Sequence, residues 1–367
     1  LSFPAEKIRV LVVDDSVVIR RLLTDILRAD EEIDVVGTAP NGRIALAKLP
    51  QLNPDLVTLD IEMPELDGLS TLPELRRQYP RLPVIMFSTL TERGAVATLE
   101  ALTRGASDYV AKPANVGSVT AAMESVKEQL IPKIKSLCHR AAPAAAAPVR
   151  AKVLGDDCAV PRPPRRDGQM LEAIVIGCST GGPQALAALL GGLPGDLPVG
   201  VAVVQHMPPI FTRHLADRLN ADCALEVSEA REGDVMRRGR VLIAPGDHHL
   251  VLRRSGAHLC CTLNQDPPEN SCRPAVDVLF HSAADVCGAG CLGAVLTGMG
   301  TDGLRGSKRI VSRGGRVLVQ NQASCVVWGM PRAVAEAGLA DAAMPIGELA
   351  GELNRSARVG RRQAKVP

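Results

Sequence analysis

Short, wholly apolar runs alternate along this chain with longer stretches whose apolar residues recur every three or four positions. In the first third, residues 8–13, 34–38, 56–59, 84–87 and 109–111 read as strands. Between and after them, 17–27, 43–49, 69–78, 95–102 and 119–130 carry helical spacing. Such alternation predicts a parallel sheet with helices on both faces. The rhythm breaks where 141–148 is alanine and proline only and 161–167 is rich in proline and arginine. Neither stretch has apolar residues to offset the entropy of ordering, so a linker is predicted, stiff where proline clusters. From residue 170 the rhythm resumes. Strands are predicted at 174–176, 199–204, 241–244, 249–252, 259–263, 292–296 and 316–320. Helices are predicted after Pro183 and at 210–220, 275–287, 333–337 and 346–357. Residues 241–252 read as two short strands paired around Pro245-Gly246-Asp247. The expected organisation is two doubly wound, largely parallel α/β domains, 6–137 and 170–360, joined by an Ala/Pro-rich linker, 138–169.

Composition narrows the choice of partner. A net charge of +2 with 2% aromatic residues leaves neither an electrostatic footprint nor stacking platforms for nucleic acid. The longest apolar runs are strand-sized, so neither a membrane span nor a signal peptide is expected, and the cytoplasm is the expected compartment. Ten scattered cysteines without C-x-x-C spacing read as reduced core thiols rather than disulfides or a zinc site. A monomer is expected.

In a doubly wound sheet, chemistry collects outside the carboxyl ends of the strands. In the first domain those ends carry Asp14 and Asp15, Asp60, Ser88, and Lys112-Pro113. Any one of the acids could be a helix cap. Three converging carboxylates, however, repel unless a divalent cation lies between them, and magnesium favours carboxylates, a carbonyl and phosphate oxygens. The stretches Val12-Val13-Asp14-Asp15-Ser16, Leu59-Asp60-Ile61-Glu62-Met63-Pro64, Asp67-Gly68 and Gly105-Ala106-Ser107-Asp108-Tyr109-Val110-Ala111-Lys112-Pro113 resemble the receiver domain of bacterial two-component response regulators, a flavodoxin-like fold. The resemblance implies that Asp60 accepts a phosphoryl group from a histidine kinase. It also implies that Asp14, Asp15, Asp60 and the carbonyl of Glu62 hold Mg²⁺, that Lys112 pairs with the phosphate, and that Ser88 and Tyr109 are switch residues.

The second domain begins with Ile174-Val175-Ile176-Gly177-Cys178-Ser179-Thr180-Gly181-Gly182-Pro183. A β-branched run ending in glycine, with proline opening an Ala/Leu-rich segment, is a strand turning sharply into a helix. The G-x-S-x-G spacing is that of a nucleophile elbow, although glycine-rich turns also cradle phosphates. A serine hydroxyl needs an imidazole to take its proton, and the imidazole needs a carboxylate to fix its tautomer. His206 and Asp302 follow other apolar strands and supply both from neighbouring sheet positions. An esterase-type order, Ser then acid then His, would instead use Asp234 or Asp247 with His248 or His249. The stretches Val204-Gln205-His206-Met207-Pro208, Arg273-Pro274-Ala275-Val276-Asp277, Leu296-Thr297-Gly298-Met299-Gly300-Thr301-Asp302-Gly303 and Gly329-Met330-Pro331-Arg332, with the elbow, resemble the catalytic domain of the CheB chemotaxis methylesterases. Asn321, Ala275 and Cys178 depart locally from that pattern.

The resemblance implies a Rossmann-like serine hydrolase with Ser179 as nucleophile, His206 as base and Asp302 as its orienting carboxylate. The implied substrate is a glutamyl γ-methyl ester on the cytoplasmic helices of chemoreceptors, hydrolysed with release of methanol. Deamidation of receptor glutamines is the implied second activity, and no cofactor is expected in this half. Elbow geometry makes the Thr180 N–H an oxyanion donor, with Met299 a second candidate. Phosphorylation of Asp60 would relieve a block that the receiver imposes on catalysis. The alternatives are a phosphorylation-controlled hydrolase of another protein ester or amide, and a non-enzymatic module that docks to receptors.

Overall fold

The computed structural model describes residues 7–112, 119–138 and 169–359. Pro113 and both linker stretches, 141–148 and 161–167, lie outside the described residues. The chain separates into two compact units, 1–145 and 146–367.

The first unit runs β1 (Ile8–Val13), α1 (Val17–Arg28), β2 (Ile33–Ala39), α2 (Gly42–Leu52), β3 (Leu56–Asp60), α3 (Gly68–Gln78), β4 (Val84–Ser88), α4 (Glu92–Thr103), β5 (Asp108–Ala111) and α5 (Val119–Cys138). The strands form one parallel sheet in the order β2-β1-β3-β4-β5. Helix starts are fixed by side chains that satisfy otherwise unpaired N–H groups: Asn41 accepts from Ile44 N at 2.9 Å and Asp67 from Ser70 N at 2.7 Å. Val10, Val12, Leu56, Ile85 and Val110 are buried against Leu27 of α1 and Leu130 and Ile134 of α5. The strand order reverses between β1 and β3, which opens a crevice at the carboxyl ends of these two strands.

The second unit runs β6 (Ala173–Cys178), α6 (Gly182–Gly191), β7 (Gly200–Gln205), α7 (Pro209–Asp222), β8 (Glu226–Glu229), β9 (Arg240–Ile243), β10 (His249–Ser255), β11 (His258–Asn264), α8 (Val276–Cys287), β12 (Cys291–Val295), α9 (Leu304–Ser312), β13 (Arg316–Gln320), α10 (Met330–Glu336), β14 (Ala342–Met344) and α11 (Ile346–Arg358). Seven strands make a parallel sheet, β14-β13-β12-β6-β7-β9-β8. The sheet therefore has β12, β6 and β7 side by side at its middle.

Residues 241–252 do not form the predicted pair of strands. β9 pairs parallel with β7 and β8, while β10 forms an antiparallel hairpin with β11. The turn at 245–247 is a crossing between two sheets, because Ala244 N bonds back to Val203 O and Asp247 N to Arg273 O. Two edge strands, β8 and β14, were not predicted: β8 has four residues of which only Val227 is apolar, and β14 has three, none of them fully buried. Among the described residues no helix is long and apolar enough to cross a membrane. The nine described cysteines are free thiols.

Candidate active site

In the first unit, Asp14 follows β1, Asp60 ends β3, Ser88 ends β4 and Lys112 follows β5. The Lys112 Nζ lies 2.9 Å from Asp14 Oδ2 and 2.8 Å from Asp60 Oδ1. Oxygens of Asp14, Asp15 and Asp60 all fall within 4.8 Å of one another. Two carboxylates thus share one ammonium, and a third stands beside them. Burial, then the charge of Asp14, push the Asp60 carboxyl up to about 6, although Lys112 and the Ile61 N–H pull the other way. Burial opposes the Lys112 ammonium, but the two carboxylates outweigh it and hold its pKa above the ordinary lysine value. Asp60 is thus raised chiefly by burial, and Lys112 by its two carboxylate neighbours. Asp14 Oδ2 is buried, and Lys112 Nζ at 2.9 Å is its partner. Hard oxygen donors clustered this closely, with more carboxylates than ammonium groups, suit a divalent cation of the magnesium type.

Beside these oxygens is a cavity of about 230 Å³ lined by Asp15, Asp60, Glu62, Ser88, Thr89 and Lys112. Gly68 starts α3 directly against β3: its N–H bonds to Ile61 O at 2.9 Å, and a Cβ there would strike the Asp60 carbonyl. Ser88 lines the cavity, but its hydroxyl is held by α4, donating to Gly94 O at 3.2 Å and accepting from Thr98 Oγ1 at 2.7 Å. Tyr109 does not line it. Its ring is buried beside α5, with Lys133 Nζ 5.2 Å from the ring centre.

In the second unit, Ser179, His206 and Asp302 follow β6, β7 and β12. The elbow depends on Gly181, whose φ of 76° is left-handed and strained for a side chain. Gly182 packs so closely that a Cβ would strike Gln205 Oε1. Buried Gln205 ties the ends of β6 and β7 together, its Nε2 donating to Ser179 O at 3.0 Å and His206 O at 3.3 Å. Thr297 does the same on the other side: Ser179 N bonds to Thr297 O at 3.0 Å, and Thr297 Oγ1 to Thr180 O at 2.9 Å.

Asp302 is 3% exposed and accepts five hydrogen bonds. Oδ2 takes His206 Nε2 at 2.8 Å and Val276 N at 2.7 Å. Oδ1 takes Asn270 Nδ2 at 2.8 Å, Asp277 N at 2.9 Å and Gly303 N at 3.0 Å. Burial alone would raise this carboxyl. His206 and the N–H groups at the start of α8 outweigh it and hold the pKa below the ordinary value, so Asp302 is an anion. An anion only accepts, which keeps a ring proton on Nε2 and leaves the lone pair of the neutral imidazole on Nδ1. Burial disfavours the imidazolium, but Asp302, then Cys272, outweigh it and hold His206 above its ordinary pKa. Nδ1 faces Cys272 Sγ at 3.6 Å. The Ser179 hydroxyl forms no hydrogen bond to His206 in this structure.

The alternative order is not assembled. Both ring nitrogens of His249 are spent on backbone, at Pro267 O and Ala275 N. Asp247 pairs with Arg273 and Asp234 with Arg240. Thr180 is buried directly after Ser179, and the Met299 N–H makes no hydrogen bond among the described residues. The sequence reading missed the contributions of Gln205, Asn270 and Cys272. Gln205 stood inside a recognised motif, but Asn270 and Cys272 reach the site only through long-range packing.

Residues 174–353 match the family model for the CheB methylesterase, and residues 10–124 that for the response regulator receiver domain. A protein of Trichodesmium erythraeum named protein-glutamate methylesterase/protein-glutamine glutaminase is 52% identical over 96% of this chain and 99% of its own. One of the same name from a Nocardioides species is 57% identical, covering 95% of each. The crystal structure of the Thermotoga maritima CheB methylesterase catalytic domain is similar with a TM-score of 0.50 and 39% identity, covering 51% of this chain and 99% of that one.

Proposed function

We propose, because the chain belongs to the CheB methylesterase family, that Ser179, His206 and Asp302 hydrolyse glutamyl γ-methyl esters of chemoreceptors under control of a phosphoryl group on Asp60. The activity is that of a protein-glutamate methylesterase/protein-glutamine glutaminase with a receiver domain. Ser179 Oγ attacks the ester carbonyl and gives its proton to His206 Nδ1. Asp302 holds the Nε2 proton and stabilises the imidazolium that forms. The N–H groups of Thr180 and Met299 donate to the oxyanion, each worth about 3 kcal/mol. Methanol leaves with the proton from Nδ1. Water, deprotonated by the same nitrogen, then hydrolyses the acyl-serine to glutamate. A glutamine amide treated the same way releases ammonia.

In the receiver, Asp14, Asp15, Asp60 and the Glu62 carbonyl would hold Mg²⁺, which supplies charge neutralisation for phosphoryl transfer from a histidine kinase. Lys112, already between Asp14 and Asp60, pairs with the incoming phosphate, and Ser88 and Tyr109 respond to it. The observation that carries the catalytic reading is the ion pair of His206 Nε2 with a five-times-bonded Asp302, while one glutamine bonds the carbonyls of both Ser179 and His206. The test is methanol release from methylated chemoreceptor membranes with and without a small phosphodonor. Ser179→Ala abolishes release and Asp60→Asn abolishes the response to phosphodonor. Undiminished release from Ser179→Ala sinks the triad.

A further inference from the structure

The imidazole that serves as base has a thiol, not the nucleophile, beside its free nitrogen. Cys272 Sγ stands 3.6 Å from His206 Nδ1, and an Asp302 oxygen completes a group whose ligand atoms lie within 4.8 Å of one another. A tetrahedral zinc ion binds imidazole nitrogen at about 2.0–2.1 Å and thiolate sulfur at about 2.3 Å, which puts the two ligand atoms roughly 3.5–3.6 Å apart. The observed separation needs no rearrangement to meet that requirement. Asp302 is fully committed to its five donors, so it is not a ligand. Instead it fixes the Nε2 proton and aims the Nδ1 lone pair, the arrangement that carboxylates give to metal-bound histidines.

Nor is the thiol loosely placed. Glu269 and Cys272 exchange backbone hydrogen bonds at 3.1 and 2.9 Å, closing a turn through left-handed Asn270 and Ser271. Asn270 is pinned to Asp302 and Arg273 to Asp247. His206 and Cys272 are both half-buried, so the crevice leaves them reachable.

We propose that His206 Nδ1 and Cys272 Sγ form an inhibitory site for a soft divalent cation of the zinc class. Binding forms N–metal and S–metal bonds, sends the thiol proton to water and leaves the remaining corners to water. The lone pair that takes the Ser179 proton is then occupied, and ester hydrolysis stops. The inhibition rests on the reading of His206 as base, whereas the binding does not.

The test uses the full chain, stripped with chelator and returned to excess Mg²⁺ so that the oxygen site of the receiver is filled. Co²⁺ serves as the optical probe. The wild-type chain gains a near-ultraviolet thiolate-to-cobalt charge-transfer band that Cys272→Ser lacks. Zn²⁺ suppresses methanol release at micromolar concentration, EDTA restores it, and Cys272→Ser needs at least about tenfold more Zn²⁺. Absence of the band in the wild type, or an equal band in Cys272→Ser, overturns the site. A band without Zn²⁺ inhibition overturns its inhibitory role. A chain that binds Co²⁺ through Cys272 yet never releases methanol counts against the esterase reading alone.

Discussion

Replacing Asp302 by asparagine probes the site at its most constrained point. The new amide must choose where to put its nitrogen. On the Oδ1 side it would face three donors, Asn270 Nδ2, Asp277 N and Gly303 N. On the Oδ2 side it faces Val276 N and the His206 ring, which can give up its Nε2 proton. The amide therefore turns its nitrogen toward His206, and the Val276 N–H loses its acceptor at a cost of about 1–3 kcal/mol in stability. The catalytic consequence is larger. The imidazole now accepts at Nε2 and carries its proton on Nδ1, the atom that receives the Ser179 proton in the proposed mechanism. Holding the wrong tautomer in a Ser-His-Asp site costs about 10⁴ in kcat, or roughly 5 kcal/mol of transition-state stabilisation.

The acid limb of the rate profile moves as well. In the wild type, Asp302 and Cys272 hold His206 above its ordinary pKa, so the neutral base accumulates, and activity rises, only as pH climbs through that elevated value. Without the carboxylate the limb shifts downward. Methanol release across a pH series, with urea unfolding on the same preparation, measures both effects. Turnover within tenfold of wild type, or an acid limb that stays put, refutes the assignment of Nδ1 as the working nitrogen.

Three further outcomes follow from the same geometry. Asp60→Asn stabilises the first unit at pH 7: a carboxyl raised from 3.8 to about 6 makes ionised Asp60 cost about 2–3 kcal/mol, a cost that vanishes as pH falls from 6 toward 4. Urea midpoints at pH 7 and pH 4 decide it, and an equal gain at both contradicts the charge explanation. Gln205→Leu removes the donors shared by Ser179 O and His206 O, and lowers kcat about ten- to hundredfold while the chain still folds; an unchanged kcat removes Gln205 from the positioning role. Gly68→Ala drives a Cβ into the Asp60 carbonyl, destabilises the first unit by about 1–3 kcal/mol and slows phosphorylation by a small phosphodonor, read by urea unfolding and phosphoprotein yield.

Much of this architecture was legible because its strands are fully buried and therefore spelled in unbroken apolar runs, as in Ile174-Val175-Ile176. Their carboxyl ends then located Asp14, Asp60, Ser179 and His206 by counting alone. Short edges such as β8, Glu226–Glu229, gave no such signal, since one face needs no apolar side chain. The pairing of β9 with β10 was misjudged because a Pro-Gly-Asp turn looks the same whether it joins two strands of a hairpin or carries the chain from one sheet to another. Asn270 and Cys272 lay beyond any local pattern, for their partners are 32 and 66 residues distant. The hydroxyl of Ser88, read as a switch residue, is bonded to α4 in this structure through Gly94 O and Thr98, partners that no spacing reveals.

The central position of β12, β6 and β7 carries a consequence for breathing motions. Backbone amides of interior strands exchange with deuterium only in the rarest openings, whereas fringe strands such as β14 fray often. Ser179, His206 and Asp302 hang from the three central ribbons of their sheet, where the slowest exchange is expected. Erosion of the margins by heat or by proteolysis would thus leave the chemistry standing until the whole unit melts, and activity would be lost abruptly rather than by degrees.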